Sequence, residues 1–213
     1  RRDGKVAASV TAVPAGGGVV LNGAKLFVPD AHVADVLAVA ARTGSGTTPG
    51  EGVSLFLVPR DADGLDVKLL PTMDRTRKLC ELSFTDCRVG PDALMGARDQ
   101  AWPALTRVIE RATVALCAEM CGGAQRVLDM TTEYAKIRVA FGRPIGAYQG
   151  VKHRAADMLV DVENAKSLTY YAAWAVDENA PEAALAASMA KAYASDAFRH
   201  VAAMVIEDDD QIA

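Results

Sequence analysis

The sequence predicts an α+β chain: a small antiparallel β-sandwich or barrel over residues 1–95, followed by a bundle of long antiparallel helices over residues 96–213. Three observations lead there. Up to about residue 90, short runs of strand-forming residues alternate with Gly, Pro, Asn and Asp. From about residue 99, apolar residues recur at steps of three and four over stretches much longer than a strand. That helical pattern is broken by Gly142, Pro144 and Gly146 and again by Pro181, so the connections are short and the helices pack as antiparallel neighbours.

In the β half the strand-forming runs are 19–21, 25–28, 36–40, 53–58, 67–69 and 79–84. Asn22-Gly23 lies between the first two and predicts a type I′ hairpin, whose two central residues both need positive φ. The Gly-, Ser- and Thr-rich stretch 43–52 predicts an exposed loop.

In the helical half the first helix runs to about Arg138 and carries Leu105, Ile109, Ala112, Leu116 and Met120 on one predicted face. Gly122-Gly123 weakens it in mid-course but lets a neighbour pack closely. The second helix starts near Tyr148, with Val151, Ala155, Met158, Val162, Ala165 and Ala172 inward, and stops near Asn179-Ala180-Pro181. The third begins at Pro181, a favoured first-turn residue, and places Leu185, Met189, Ala192, Phe198, Ala202 and Val205 on its predicted inner face. It ends in Glu207-Asp208-Asp209-Asp210-Gln211, four adjacent acids against the negative end of the helix dipole. That ending fits either a solvated, frayed tail or a specialised acidic site.

Composition narrows the function classes. Hydrophobic residues make up 51% and charged residues 23%, as in ordinary globular proteins. A net charge of −4 argues against a nucleic-acid partner, because neutralising phosphates takes clustered Lys and Arg. No apolar run is long enough to span a bilayer, and Arg1-Arg2-Asp3-Gly4 begins no signal sequence, so a cytoplasmic protein is expected. Cys80, Cys87, Cys117 and Cys121 have no His partners at metal-ligand spacing; no metal site is expected, and they are read as small buried hydrophobes.

The stretch 134–158 carries the most chemistry. A loop between two long helices that holds Arg, an aromatic and an amide is equipped for a flat, anionic ligand. Arg138 can grip phosphate with its planar fork, Phe141 offers a ring face, and Gln149 both donates and accepts. Arg138, Phe141, Gly142, Ile145 and Gln149, followed by Ala156-Asp157-Met158, form a spaced motif that resembles the acyl-CoA dehydrogenase family. Residues 17–28, 34–43 and 82–90 resemble that family's middle domain.

The resemblance implies FAD as cofactor and α,β-dehydrogenation of an acyl-CoA thioester, with hydride transfer to flavin N5. It implies that Arg138, Phe141, Tyr148 and Gln149 contact the cofactor, Arg138 reaching the pyrophosphate of a neighbouring subunit's FAD. Phe27 and Val28 correspond to the place beside the flavin ring, although Phe27 also reads as a core strand residue. Pro29 stands where the family often has a flavin-bonding Thr. The implied partners are an acyl-CoA substrate, a homo- or hetero-oligomer (dimer or tetramer) and an electron-transfer flavoprotein or similar acceptor.

The catalytic base is not assigned. In many family members it is a Glu downstream of a Gly-Gly pair, and Asp210 and Gln211 align with that pair. Other members carry the base on the first long helix, where Ala112 aligns; Glu110, about 200° away around the helix, reads as a solvated or ion-paired residue. The chain is therefore expected to be a partial dehydrogenase, inactive alone. The alternative is a non-catalytic, cofactor-supporting or structural subunit of a heteromeric dehydrogenase.

Overall fold

The computed structural model describes residues 10–45, 48 and 50–210, and the chain divides into two compact units, Arg1–Thr106 and Arg107–Ala213. The first unit holds strands β1 (Val10–Ala15), β2 (Gly18–Pro29), β3 (Val36–Arg42), β4 (Val53–Pro59), β5 (Leu65–Leu69), β6 (Leu79–Val89) and β7 (Leu94–Met95). They form one sheet in the order β5-β6-β2-β1-β3-β4-β7. Neighbours are antiparallel except β1 and β3, which pair in parallel at Thr11 and Arg42; the expected all-antiparallel sheet is therefore mixed. Leu65 and Val67 at one edge and Leu94 at the other pack on the same buried cluster, so the sheet curls over a single core of Val10, Leu21, Phe56, Val58, Leu82 and Phe84.

The strand β1 precedes the first expected strand, and it moves the hairpin. The turn is Gly16-Gly17, with φ of 56° and 89°, closing the pairing of Ala15 with Gly18. Asn22-Gly23 lies inside β2 and makes no turn. Asn22 Oδ1 accepts from the Asp86 N–H at 2.8 Å and its Nδ2 donates to Asp86 Oδ1 at 3.1 Å. Asp86, at φ 49°, sits in the extra residue of a β-bulge on β6, between the pairs Leu21–Cys87 and Gly23–Phe84. The Asn-Gly pair thus clamps a bulge, which needs the same unusual backbone as a tight turn.

The second unit holds most of α1 (Trp102–Ile137), a small hairpin of β8 (Val139–Ala140) and β9 (Arg143–Pro144), α2 (Gln149–Asp177) and α3 (Ala183–Asp210). Cross-helix bonds fix the directions. Cys121 meets Thr169 at 3.4 Å and Gln125 meets Lys166 at 2.6 Å, so α1 and α2 run antiparallel. Tyr171–Glu182 at 3.4 Å, Asn164–Tyr193 at 3.1 Å and Asp161–His200 at 2.7 Å do the same for α2 and α3. A Cβ on Gly123 would lie 2.7 Å from the Phe198 ring, so the glycine lets α3 approach α1. The backbone of α3 stays helical through Asp210; Gln211 and the start of the chain lie outside the described residues.

The inner faces of two helices differ from expectation. On α1 the buried stripe is Cys117, Cys121, Ala124, Leu128 and Ala135, while Ile109, Ala112 and Leu116 are exposed. On α3 it is Ala183, Ala186, Ala187, Ala190, Ala194, Ala197 and Val201, with Leu185, Met189 and Ala192 outside. Small residues win because they allow close helix approach. On α2, Met158, Val162, Ala165 and Ala172 are buried as expected. All four cysteines are free and buried. Among the described residues, no helix is long and apolar enough to cross a membrane, and no group of three or more His, Cys, Asp or Glu could hold a metal ion.

Candidate functional site

The first cluster is the connector between α1 and α2. The α1 ladder ends with the Arg138 N–H donating to Tyr134 O at 2.9 Å. The chain then makes a two-residue hairpin, Ala140 pairing with Arg143, with Phe141 and Gly142 at its tip. Their φ values, 52° and 82°, are both positive, as a type I′ turn requires. Glycine takes that conformation freely, whereas phenylalanine there costs about 1–2 kcal/mol. Phe141 is also 96% exposed. A large aromatic held strained and in solvent adds nothing to a core, and such outliers cluster where ligands bind.

The hairpin is held from below. The Ile145 N–H donates to Arg138 O at 2.8 Å, and Tyr148 Oη donates to Ala140 O at 2.9 Å. Ile145 is buried, and a Cβ on Gly146 would lie 2.9 Å from Ala135 O, so the connector lies tight on the end of α1. The Arg143 guanidinium sits 4.1 Å from the centre of the Tyr148 ring, which meets Phe141 edge-on at 6.5 Å.

These contacts separate the two arginines. Arg143 is committed to Tyr148. Arg138 is exposed and, among the described residues, has no ion-pair partner. Gln149 is exposed at the first position of α2, whose N-cap Tyr148 supplies no capping side chain. The first helical bond there is Lys152 N–H to Tyr148 O at 3.1 Å, leaving the Gln149, Gly150 and Val151 amides without helical acceptors. A guanidinium, an amide side chain, an uncapped helix start and an exposed ring form a donor set suited to a phosphate-bearing, flat ligand. The residues present fit a dinucleotide cofactor such as FAD.

The second cluster is in the β unit. Directly paired residues of an antiparallel ladder share a face. On β2, Leu21, Gly23 and Lys25 pair with the buried Cys87, Phe84 and Leu82, so the odd positions face inward. Burial of Lys25 accordingly pushes its amine below the usual lysine range. Strict alternation would turn Phe27 inward next. Instead the register shifts between Lys25 and Val28, Val28 pairs with the buried Cys80, and Phe27 is left 65% exposed at φ 60°. Both candidate aromatics are therefore exposed on left-handed backbone. The Val28 side chain is partly buried and packs against the sheet core.

Arg138, Phe141, Tyr148 and Gln149 all lie on the connector at residues 138–149 of the helical unit, with Phe141 against Tyr148, while Phe27 and Val28 belong to the β unit. Glu110 lines a cleft of about 270 Å³ with Arg107, Arg111 and Asn179, and Ala112 is exposed. Sequence reasoning missed the pairing of Arg143 with Tyr148. It also missed a cluster on α2 and α3, where His200 Nδ1 bonds Asp161 at 2.7 Å beside a 700 Å³ cleft. The spacing of the first pair, from Arg143 to the ring at Tyr148, gave no helical signal because it crosses a hairpin strand and a 3₁₀ turn.

Comparison with known proteins identifies the family. Residues 3–87 match the model of the acyl-CoA dehydrogenase middle domain, and residues 100–207 match that of the acyl-CoA dehydrogenase C-terminal domain. The human mitochondrial short-chain specific acyl-CoA dehydrogenase is 32% identical over 205 residues, 94% of this chain and 49% of that protein. A probable acyl-CoA dehydrogenase from Mycobacterium abscessus superposes with a TM-score of 0.89 at 29% identity, covering 96% of this chain and 54% of the other. The structure described as the FAD complex of PigA gives 0.86 at 31% identity, covering 93% and 52%. The chain spans about half the length of the curated relatives it matches. With both domain models matched in order and across nearly all of its length, the chain belongs to the acyl-CoA dehydrogenase family.

Proposed function

We propose that the chain forms the middle and C-terminal part of a flavin-dependent acyl-CoA dehydrogenase. FAD, when bound, supplies the acceptor for the hydride that leaves the β-carbon of an acyl-CoA thioester. In this reading Arg138 holds the pyrophosphate of a cofactor bound mainly by a neighbouring subunit. Phe141, Tyr148 and Gln149 complete that contact, and Phe27 and Val28 flank the flavin ring. An electron-transfer flavoprotein or similar acceptor then takes the electrons. The observation that carries the reading is the connector itself: an uncommitted guanidinium beside a strained, exposed phenylalanine, with an uncapped helix start behind them.

The test is the flavin-to-protein absorbance ratio of the full-length protein. A charge-assisted hydrogen bond is worth about 1.5–3 kcal/mol, so Arg138→Ala is expected to weaken FAD binding about 10- to 100-fold. Arg138→Lys restores it only in part, since a point charge lacks the fork. Arg143→Ala has the smaller effect, through Tyr148 alone. Full flavin content in Arg138→Ala with loss in Arg143→Ala would overturn the assignment.

A further inference from the structure

We infer that Val28 is the positioning residue that presents Phe27 to solvent. The inference concerns how Phe27 is displayed; that a flavin lies against the ring rests on the function proposed above.

The β2–β6 ladder offers two registers past Lys25. In one, alternation continues, Phe27 pairs with Cys80 and its ring enters the core. In the other, one extra residue is inserted, Val28 pairs with Cys80, and Phe27 is expelled. The structure adopts the second, although it leaves Phe27 at φ 60° and 65% exposed. Local preference favours the first register, because it removes a left-handed phenylalanine and buries its ring. The outcome is therefore decided by what fills the place opposite Cys80.

That place lies at the sheet core. Cys80 and Ala31 are both 0% exposed, and His32 Nδ1 lies 4.0 Å from Cys80 Sγ. Beyond it the restored register is secured by the pairing of Pro29 with Leu79 and by the Asp30 N–H donating to Lys78 O at 3.0 Å. Val28 packs there against the core cluster, so the inserted residue keeps an apolar side chain opposite Cys80 while Pro29 and Asp30 stay in register. The companion bulge at Asp86 cannot serve as the switch. On β6 the buried residues are Cys80, Leu82 and Phe84, then Cys87 and Val89, so the change from even to odd positions is written into that strand. The bulge at Phe27 is set from β2, and Val28 is the β2 residue that takes the inward position.

The experiment replaces Val28 in the full-length protein and follows the ring of residue 27. Crystal structures give φ at Phe27 and its cross-strand partner. Fluorine NMR of protein labelled with fluorophenylalanine gives ring exposure from broadening by a soluble nitroxide, with the resonance assigned by its loss in Phe27→Leu. In Val28→Ser the inward position no longer holds an apolar side chain. Phe27 is expected to pair with Cys80 at negative φ, with its resonance protected from the nitroxide. Val28→Thr keeps the shape of valine and folds; there the protected form should rise about tenfold, because a hydroxyl is costly to bury. Val28→Ile should keep the ring exposed. A ring that stays exposed at positive φ in both Val28→Ser and Val28→Thr overturns the inference. Flavin absorbance of the same samples separates the two readings. If the ring moves inward and the flavin complement and spectrum are unchanged, Val28 stands as the positioning residue, and the placement of Phe27 beside the flavin falls.

Discussion

The two units solve the problem of a core in opposite ways. The β unit fills its interior with bulk: Leu21, Phe56, Val58, Leu82 and Phe84 are all at most 3% exposed. The helical unit lines much of its interior with alanine, beside a smaller cluster of Leu128, Met158, Val162 and Val201. Ala172, Ala175, Ala187, Ala190 and Ala194 are buried, while Leu185, Met189 and Trp174 are 62%, 49% and 53% exposed. The faces of a folded sheet stand about 10 Å apart, and large side chains must span the gap. Helix axes come as close as about 8 Å when the side chains between them are small. One unit is therefore held by volume, the other by approach, and they should fail under opposite substitutions.

The largest expected effect tests the volume side. Phe84→Ala removes a fully inward ring, and such truncations cost about 3–5 kcal/mol. Leu185→Ala removes a side chain of similar chemistry from an exposed helix face, where changes usually stay within about 0.5 kcal/mol. Urea unfolding of both variants measures the contrast. A Leu185→Ala cost that matched Phe84→Ala would show that the helical unit also depends on its large residues.

The next effect tests approach. Ala190 is 0% exposed in the stripe of α3 that lies in the alanine-rich core. Ala190→Leu adds volume where none is available, and overpacking of this kind costs about 1–3 kcal/mol. The same enlargement at an outer position, Ala192→Leu, should be close to neutral. Thermal unfolding followed by helical circular dichroism distinguishes the two. Equal behaviour at both positions would mean that the stripe leaves slack between the helices.

The same contrast explains what could be read from the sequence. The α+β class, the three helices and the start of α2 at Gln149 follow from period and punctuation, which are local properties. The inner faces of α1 and α3 do not. A periodicity search weighs Leu and Met above Ala and so selected Ile109, Leu116, Leu185 and Met189, which the fold leaves outside. On the strands bulk marks the inner face at Leu21, Phe56, Val58, Leu82 and Phe84, but Phe27, Leu26 and Val36 break that rule. Asn22-Gly23 signalled an unusual backbone correctly but could not say whether turn or bulge, since that depends on Asp86, 64 residues away. At the candidate site, Arg138 and Gln149 were legible as chemistry. The positive φ of Phe27 and Phe141 was not, because intrinsic preference opposes it in both places.

The smallest expected effect concerns a residue that answers to neither rule. Phe141 contributes no volume to a core and permits no close approach; its ring stands 96% exposed on a left-handed turn. Its stabilising contact is the edge-on meeting with Tyr148 at 6.5 Å, and aromatic pairs of that kind are worth about 0.5–1.5 kcal/mol. Against that stands the left-handed strain of about 1–2 kcal/mol. Asparagine tolerates left-handed backbone, so Phe141→Asn gives up the ring contact and releases the strain. The expected result is a protein as stable as the parent, or more stable by about 0.5 kcal/mol, the difference between those two magnitudes. If the ring serves the proposed cofactor contact, flavin retention should fall in the same variant, although Arg138 and the turn are intact. Calorimetry and flavin absorbance on one sample read both quantities. A variant that loses stability and keeps its flavin would place Phe141 with the packing residues and remove it from the candidate site.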